Sequence, residues 1–111
     1  MDKIVELSKK YNFGILEDCS QSHETRYKGN HLGSYGDMAV YSLYPGKNLG
    51  AAGDAGIITT NSEDLNKRLR SIRNYGSSVK YHYDEIGHNN RLDSMQAIVL
   101  SEKLKHLKEW T

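Results

Sequence analysis

The sequence predicts an α/β fold, and three observations carry that expectation. Short apolar runs of strand length stand at residues 13–16, 38–43 and 57–60. Segments 3–11 and 65–72 instead space their apolar residues at helical intervals. The two kinds of segment alternate along the chain instead of separating into halves, the pattern of layered α/β architecture. With 111 residues there is room for one domain, near the small end of the range that buries a core.

Taken in order, Ile4, Val5, Leu7, Ser8 and Tyr11 form one helical stripe over 3–11 with lysines opposite, and Asn12 is a plausible end. Phe13 to Leu16 reads as a short strand ending on Glu17-Asp18. Residues 19–37 are polar and punctuated by glycine, and Tyr27-Lys28-Gly29-Asn30-His31 fits a small hairpin turn. Met38 to Leu43 is a second strand, followed by a loop over 44–56 with glycines at 46, 50, 53 and 56. Ile57-Ile58-Thr59-Thr60, rich in β-branched residues, is a third strand. Asn61 fits an N-cap with Asp64 in the first turn, and Leu65, Leu69 and Ile72 make the apolar stripe of a helix that Gly76 closes. A tyrosine-rich polar loop fills 77–90. Asp93 or Ser94 starts a last helix, with Met95, Val99, Leu104 and Leu107 as its apolar stripe.

Composition removes several classes of function. Lys plus Arg number 15 and Asp plus Glu 14, a net charge of +1, too small and too evenly mixed for nucleic-acid or membrane binding by electrostatics. No apolar stretch approaches the roughly 20 residues of a membrane span. The N-terminus lacks a secretory apolar region, so a cytoplasmic location is the default expectation. The single cysteine, Cys19, excludes an internal disulfide and a cysteine-pair zinc site. The five histidines have no paired ligand spacing, so no metal is expected.

Chemistry concentrates at two strand ends. Asp18 closes the first apolar run, and Lys47 follows the second in Ser42-Leu43-Tyr44-Pro45-Gly46-Lys47-Asn48-Leu49-Gly50. Open α/β sheets place ligand-binding groups at strand ends. A lysine and an aspartate so placed are the two charges a pyridoxal phosphate (PLP) site needs. The amine forms a Schiff base with the aldehyde, and the carboxylate keeps the pyridine nitrogen protonated so that the ring serves as electron sink. An isolated Asp18 reads equally as a turn cap, and an isolated Lys47 as a solvated loop residue. Gly46-Lys47 is no phosphate loop, because Tyr41 and Asn48 stand where such a loop needs Gly and Ser or Thr. Glu17, next to Asp18, points to the opposite face of the strand.

Five segments in order sharpen this reading: Glu17-Asp18-Cys19-Ser20-Gln21-Ser22-His23, residues 42–50, Gly53-Asp54-Ala55-Gly56, Arg73-Asn74-Tyr75-Gly76, and Gly87-His88-Asn89-Asn90-Arg91-Leu92-Asp93. Together they closely resemble the DegT/DnrJ/EryC1/StrS family of PLP-dependent aminotransferases acting on nucleotide-linked keto sugars, from about Gly14 to Trp110. The resemblance implies part of the large domain of a fold-type-I aminotransferase. On it, residues 1–111 are a single partial cofactor-binding domain, with the N-terminal part of the large domain and the C-terminal small domain absent, and the isolated chain is expected to be inactive. It also implies Lys47 as the Schiff-base lysine, Asp18 as the pyridinium partner, and Gln21 at the cofactor ring and its hydroxyl. Ser42 falls at the cofactor phosphate. Asn89 falls at the phosphate of a neighbouring subunit, which makes the longer parent enzyme a homodimer. His23 reads as readily as a structural histidine as a site residue.

The implied reaction is amino transfer, with L-glutamate as donor, to the keto group of a nucleotide-linked deoxysugar. Lys47 argues against the family's sugar dehydratases, which carry histidine there, and residues 81–89 look more like members acting at the sugar C3 than at C4. The alternative is a non-catalytic folding or assembly module. Departures from the family pattern are Glu24 in place of a small Gly, Ala55 in a Gly-Asp-Gly-Gly loop, Leu43 for Phe, and His88 for a common Tyr.

Overall fold

A computed structural model describes residues 1–111 as a plate of 44 × 38 × 18 Å. Helix α1 spans Asp2–Tyr11, with Asp2 in its first turn and Lys9 and Lys10 in its last, each sign complementing the helix dipole. Asn12 ends it in the left-handed conformation, φ 55°, its N–H donating to the Ser8 carbonyl. Strand β1 is Leu16–Asp18, three residues shorter at its start than the apolar run 13–16 implied. The reason is local: the Asp37 carboxylate accepts the Ile15 N–H at 2.7 Å, so the strand ladder opens only at Leu16.

The expected hairpin is present as β2, Arg26–Tyr27, and β3, Asn30–His31, paired antiparallel. Lys28 and Gly29 turn between them with φ of 49° and 84°, the pair of positive values a two-residue hairpin requires. Strands β4, Met38–Ser42, and β5, Gly56–Thr59, complete a mixed sheet of order β1-β4-β5. β1 runs parallel to β4 with Asp18 opposite Val40, and β5 runs antiparallel to β4 with Tyr41 opposite Ile57.

Helix α2 is Glu63–Ile72, and its cap is Ser62 rather than Asn61. The Ser62 hydroxyl accepts the Leu65 N–H at 3.3 Å, the three-residue reach of an N-cap, and Asn61 lies one residue too far back. Gly76 is not the residue after the cap. The helix ends at Arg73, and Gly76, φ 74°, sits where a Cβ would fall 1.7 Å from the Glu85 carbonyl. Glycine is demanded there by both the left-handed backbone and the close chain crossing.

The last helical segment is broken into α3, Ser94–Leu104, capped by Asp93 through the Met95 N–H at 2.7 Å, and α4, Leu107–Trp110. The expected stripe is corrected too. Met95 and Leu104 are exposed, whereas Leu100 is buried, flanked by Gln96 and Lys103 one turn to either side. The facing loop offers backbone groups, so polar side chains occupy positions that an apolar rule assigns to hydrophobes. No helix is long and apolar enough to cross a membrane.

The apolar core is small. Leu43, Ala51 and Leu100 cluster, with Leu49 and Ala55 packed against them, and Cys19 and Ala39 are buried in and beside the sheet. All four residues of β5 are exposed, and Leu16 in β1 is 58% exposed. Both faces of the sheet are therefore largely open in this chain.

Candidate active site

Because β1 and β4 are parallel, their C-terminal ends reach the same sheet edge. Asp18 pairs with Val40, and the two-residue period of a strand returns Ser42 to that same face. Asp18 and Ser42 thus share one face of one edge, and the loop carrying Lys47 departs from that edge five residues after Ser42.

Asp18 is exposed and begins a tight turn, its Oδ1 accepting the Ser20 N–H at 3.0 Å. Its carboxyl is held below the usual carboxylate range, first by the hydroxyl and amide of Ser20, against a small opposing effect of burial, and also by the Lys47 cation. The turn-cap role and the charge role coincide in this residue: Oδ1 serves the turn while the carboxyl stays ionised. Lys47 is half-buried, its own N–H donates to the Tyr44 carbonyl at 2.9 Å, and its ammonium enters no ion pair. Ser42 is half-buried; its amide donates to Ser20 Oγ at 3.3 Å and its hydroxyl accepts only the long 3.4 Å contact from the Tyr44 N–H. The Ser42 hydroxyl proton is left for an anion.

Gln21 lies exposed on the turn directly after β1. Asn89 lies apart from this edge. It is exposed and belongs to a strap tied to the end of α2, where Asn74 and Asn89 form an isolated bridge, His88 donates to the Ile72 carbonyl at 2.8 Å, and Asn90 donates to that of Arg73 at 2.9 Å. No hydrogen bond joins it to Asp18, Ser42 or Lys47. Glu24 has φ 59°, in the left-handed region that favours glycine, and it borders a cavity lined by Tyr41, Ile57 and Thr59, on the sheet face opposite Ser42.

Two groups of supporting residues had no clear sequence signal. Glu17, 8% exposed, accepts three backbone amides: Gly33 at 2.9 Å on Oε2, and Tyr35 at 2.8 Å and Gly36 at 2.7 Å on Oε1. It thereby folds the loop 33–36 that feeds β4. The available clue was a carboxylate on a strand followed by Gly33-Ser34-Tyr35-Gly36, a loop rich in unpaired amides. Glu17→Gln, isosteric but with an NH₂ facing an N–H donor, is expected to destabilise the protein by about 2–3 kcal/mol. A shift of the urea midpoint in the full-length protein checks it, and an unchanged midpoint refutes the clamp.

The second group holds the lysine loop from behind. Ala52 donates its N–H to Gln96 Oε1 at 2.8 Å, the Lys103 ammonium donates to the Gly50 carbonyl, and Leu100 packs on Leu43 and Ala51. Gly50 itself is a close-approach glycine, since a Cβ there would lie 2.4 Å from the Pro45 carbonyl oxygen. The Ala55 carbonyl accepts the Leu43 N–H at 2.9 Å, a backbone bond that alanine in place of glycine leaves intact.

Comparison with known proteins agrees with this architecture. A dTDP-3-amino-3,6-dideoxy-alpha-D-galactopyranose transaminase of Aneurinibacillus thermoaerophilus is 51% identical over 109 residues, 98% of this chain and 30% of the relative. The crystal structure of DesV from Streptomyces venezuelae in complex with a ketimine intermediate superposes with a TM-score of 0.92 at 46% identity, covering 98% of this chain and 29% of that one. NtdA from Bacillus subtilis, with bound cofactor PMP, superposes at 0.85 with 30% identity, over 97% of this chain and 25% of that one. The chain thus spans about three-tenths of the length of the curated relatives it matches. Its α/β fold is that of part of the large domain of a fold-type-I aminotransferase. The family profile described as the DegT/DnrJ/EryC1/StrS aminotransferase family matches residues 1–111, so the chain belongs to that family.

Proposed function

We propose that this chain carries the lysine-bearing portion of a PLP-dependent enzyme that transfers an amino group, with L-glutamate as donor, to the keto group of a nucleotide-linked deoxysugar. The observation that carries the proposal is the single edge shared by an ionised Asp18, an unengaged Lys47 ammonium and a Ser42 hydroxyl. That donor set fits the cofactor: a carboxylate for a ring N–H, an amine for an aldehyde and a hydroxyl for a phosphate. When bound, PLP supplies the electron sink for breaking the bond to the amino-bearing carbon's proton. Asp18 holds the ring nitrogen's proton, Ser42 donates to the phosphate, and Gln21, on the turn after Asp18, contacts the ring's hydroxyl. The Lys47 amine anchors the cofactor and then moves a proton between carbons, which its place on a loop fixed at both ends permits. The similarity to a dTDP-3-amino sugar transaminase supports a nucleotide-activated substrate aminated at C3.

Asn89, exposed on a strap that His88 and Asn90 tie to the end of α2, is assigned to a second copy's phosphate site, which makes the full-length enzyme a homodimer with composite sites. The test is amino-sugar formation from a dTDP-linked 3-keto deoxysugar and L-glutamate. Wild type forms product, Lys47→Ala and Asn89→Ala are each strongly impaired, and co-refolded mixtures recover part of the activity because one site of each mixed dimer holds both wild-type residues. A wild type inert toward every nucleotide-linked keto sugar overturns the function. Mixed dimers that form yet stay inactive overturn the shared site alone.

A further inference from the structure

The loop that bears Lys47 is tied to the rest of the sheet edge by a histidine that the reaction itself does not use. His23, 8% exposed, lies in the turn segment after β1, and its Nδ1 accepts the Leu49 N–H at 3.1 Å. That bond spans 26 positions of sequence and lands two residues from Lys47. The other ties of this loop are the local turn from Lys47 to Tyr44, the Ala51 N–H to Leu43, the Ala52 N–H to Gln96, and Lys103 on Gly50. Between Lys47 and Gly50, His23 is the side chain that connects the lysine loop to the turn carrying Asp18.

An accepting Nδ1 fixes the tautomer, with the ring proton on Nε2. Nε2 is buried without a hydrogen-bond partner, and the Tyr41 ring stands 5.7 Å away, centroid to centroid. The one hydrogen bond the ring makes is therefore the one to the lysine loop. We propose that His23 is a positioning residue whose neutral Nδ1 holds the Lys47 loop against the Asp18 turn, so that protonating His23 releases the lysine from register. This rests on the assignment of Lys47 as the cofactor-anchoring amine.

The titratable groups around the ring are Lys47 on the loop, Tyr41 from β4, and Glu24 and His31 at the rim of a cavity of about 280 Å³. Burial pushes the imidazolium below its ordinary value, the Ser42 carbonyl opposes this, and the Lys47 cation adds to it. The sign follows. The depressed folded value means that stability from the neutral ring is complete above the unfolded pKa of about 6.5 and is lost as pH falls through the lower folded one.

The experiment uses full-length protein without added PLP and follows backbone hydrogen exchange in residues 44–50, corrected for intrinsic pH dependence, together with steady-state kinetics of the loaded enzyme. His23→Leu should accelerate exchange in 44–50 by about tenfold, the loss of one hydrogen bond. It should lower kcat by up to about 100-fold through misplacement of the amine, with KM for the keto sugar little changed. His23→Asn, whose Oδ1 can take the place of Nδ1 but does not titrate, should restore both and remove the acceleration seen in wild type as the pH falls below about 6.5. Unchanged protection of 44–50 in His23→Leu overturns the proposal, as does loss of protection spread equally over β4 and β5. Because exchange is read without cofactor, its outcome is independent of the Lys47 assignment, which fails separately if Lys47→Ala retains turnover.

Discussion

Lys47→Ala in the full-length enzyme is expected to lower turnover by about 10⁴-fold or more, because on the proposed function one amine carries both covalent anchoring and proton movement. The substitution is structurally mild. Lys47 is half-buried, its ammonium enters no ion pair, and the loop is held by Lys103, Gln96, His23 and its own backbone turn, none of which needs the Lys47 side chain. Stability should therefore stay near wild type while activity disappears. Two measurements check this: the unfolding midpoint, and mass spectrometry after borohydride reduction with PLP, which fixes the cofactor to the Lys47 peptide in wild type and leaves the variant unlabelled. Normal turnover by Lys47→Ala, or labelling at a different lysine, would sink the assignment.

Asp18→Asn is expected to reduce turnover by roughly 10³-fold or more while the turn remains intact. Asparagine keeps an oxygen for the Ser20 amide, so the Asx turn closing β1 survives and only the charge is removed. The effect would be electrostatic: with the cofactor bound, the Asp18 carboxylate would hold the proton on the ring nitrogen, and a neutral asparagine would not. Ser20 and Lys47 hold the wild-type carboxyl below its ordinary range, so Asp18 should stay ionised throughout the neutral region and contribute no inflection to the pH–rate profile there. Steady-state kinetics decide the matter: a loss of less than about tenfold reduces Asp18 to a turn-forming residue.

Much of this was legible in the residues. The strand ends that carry Asp18 and Ser42, the hairpin at Lys28-Gly29 and the helices around Leu69 and Val99 announced themselves through periodicity and turn chemistry. What stayed hidden depends on groups distant in sequence. Asp37 shortens β1 from across the sheet, Glu17 gathers amides sixteen to nineteen residues away, and Gln96 and Lys103 face a loop more than forty residues earlier. Such contacts answer backbone donors and acceptors that a hydropathy pattern does not register. Glu24 was marked only as a departure from the family's glycine, and its φ of 59° supplies the physical reason that glycine suits the position. Asn89 is the residue least accounted for within one chain, since its neighbours His88 and Asn90 tie the strap to the end of α2 while its own side chain makes no hydrogen bond.

Glu17 and Asp18 are neighbours with opposite duties: one gathers the loop 33–36, the other stands on the opposite face at the strand end shared with Ser42. A strand turns over with every added or lost residue, so a single insertion or deletion between Asn12 and Leu16 that was absorbed by register would exchange the two carboxylates. Compensation by point substitution would need simultaneous change at both positions. The exposed stretch 78–84 can absorb a change of length more easily, whereas the spacing ahead of the two acids is a locked quantity. Length variation, more than residue variation, is where natural selection on this segment should leave its clearest mark.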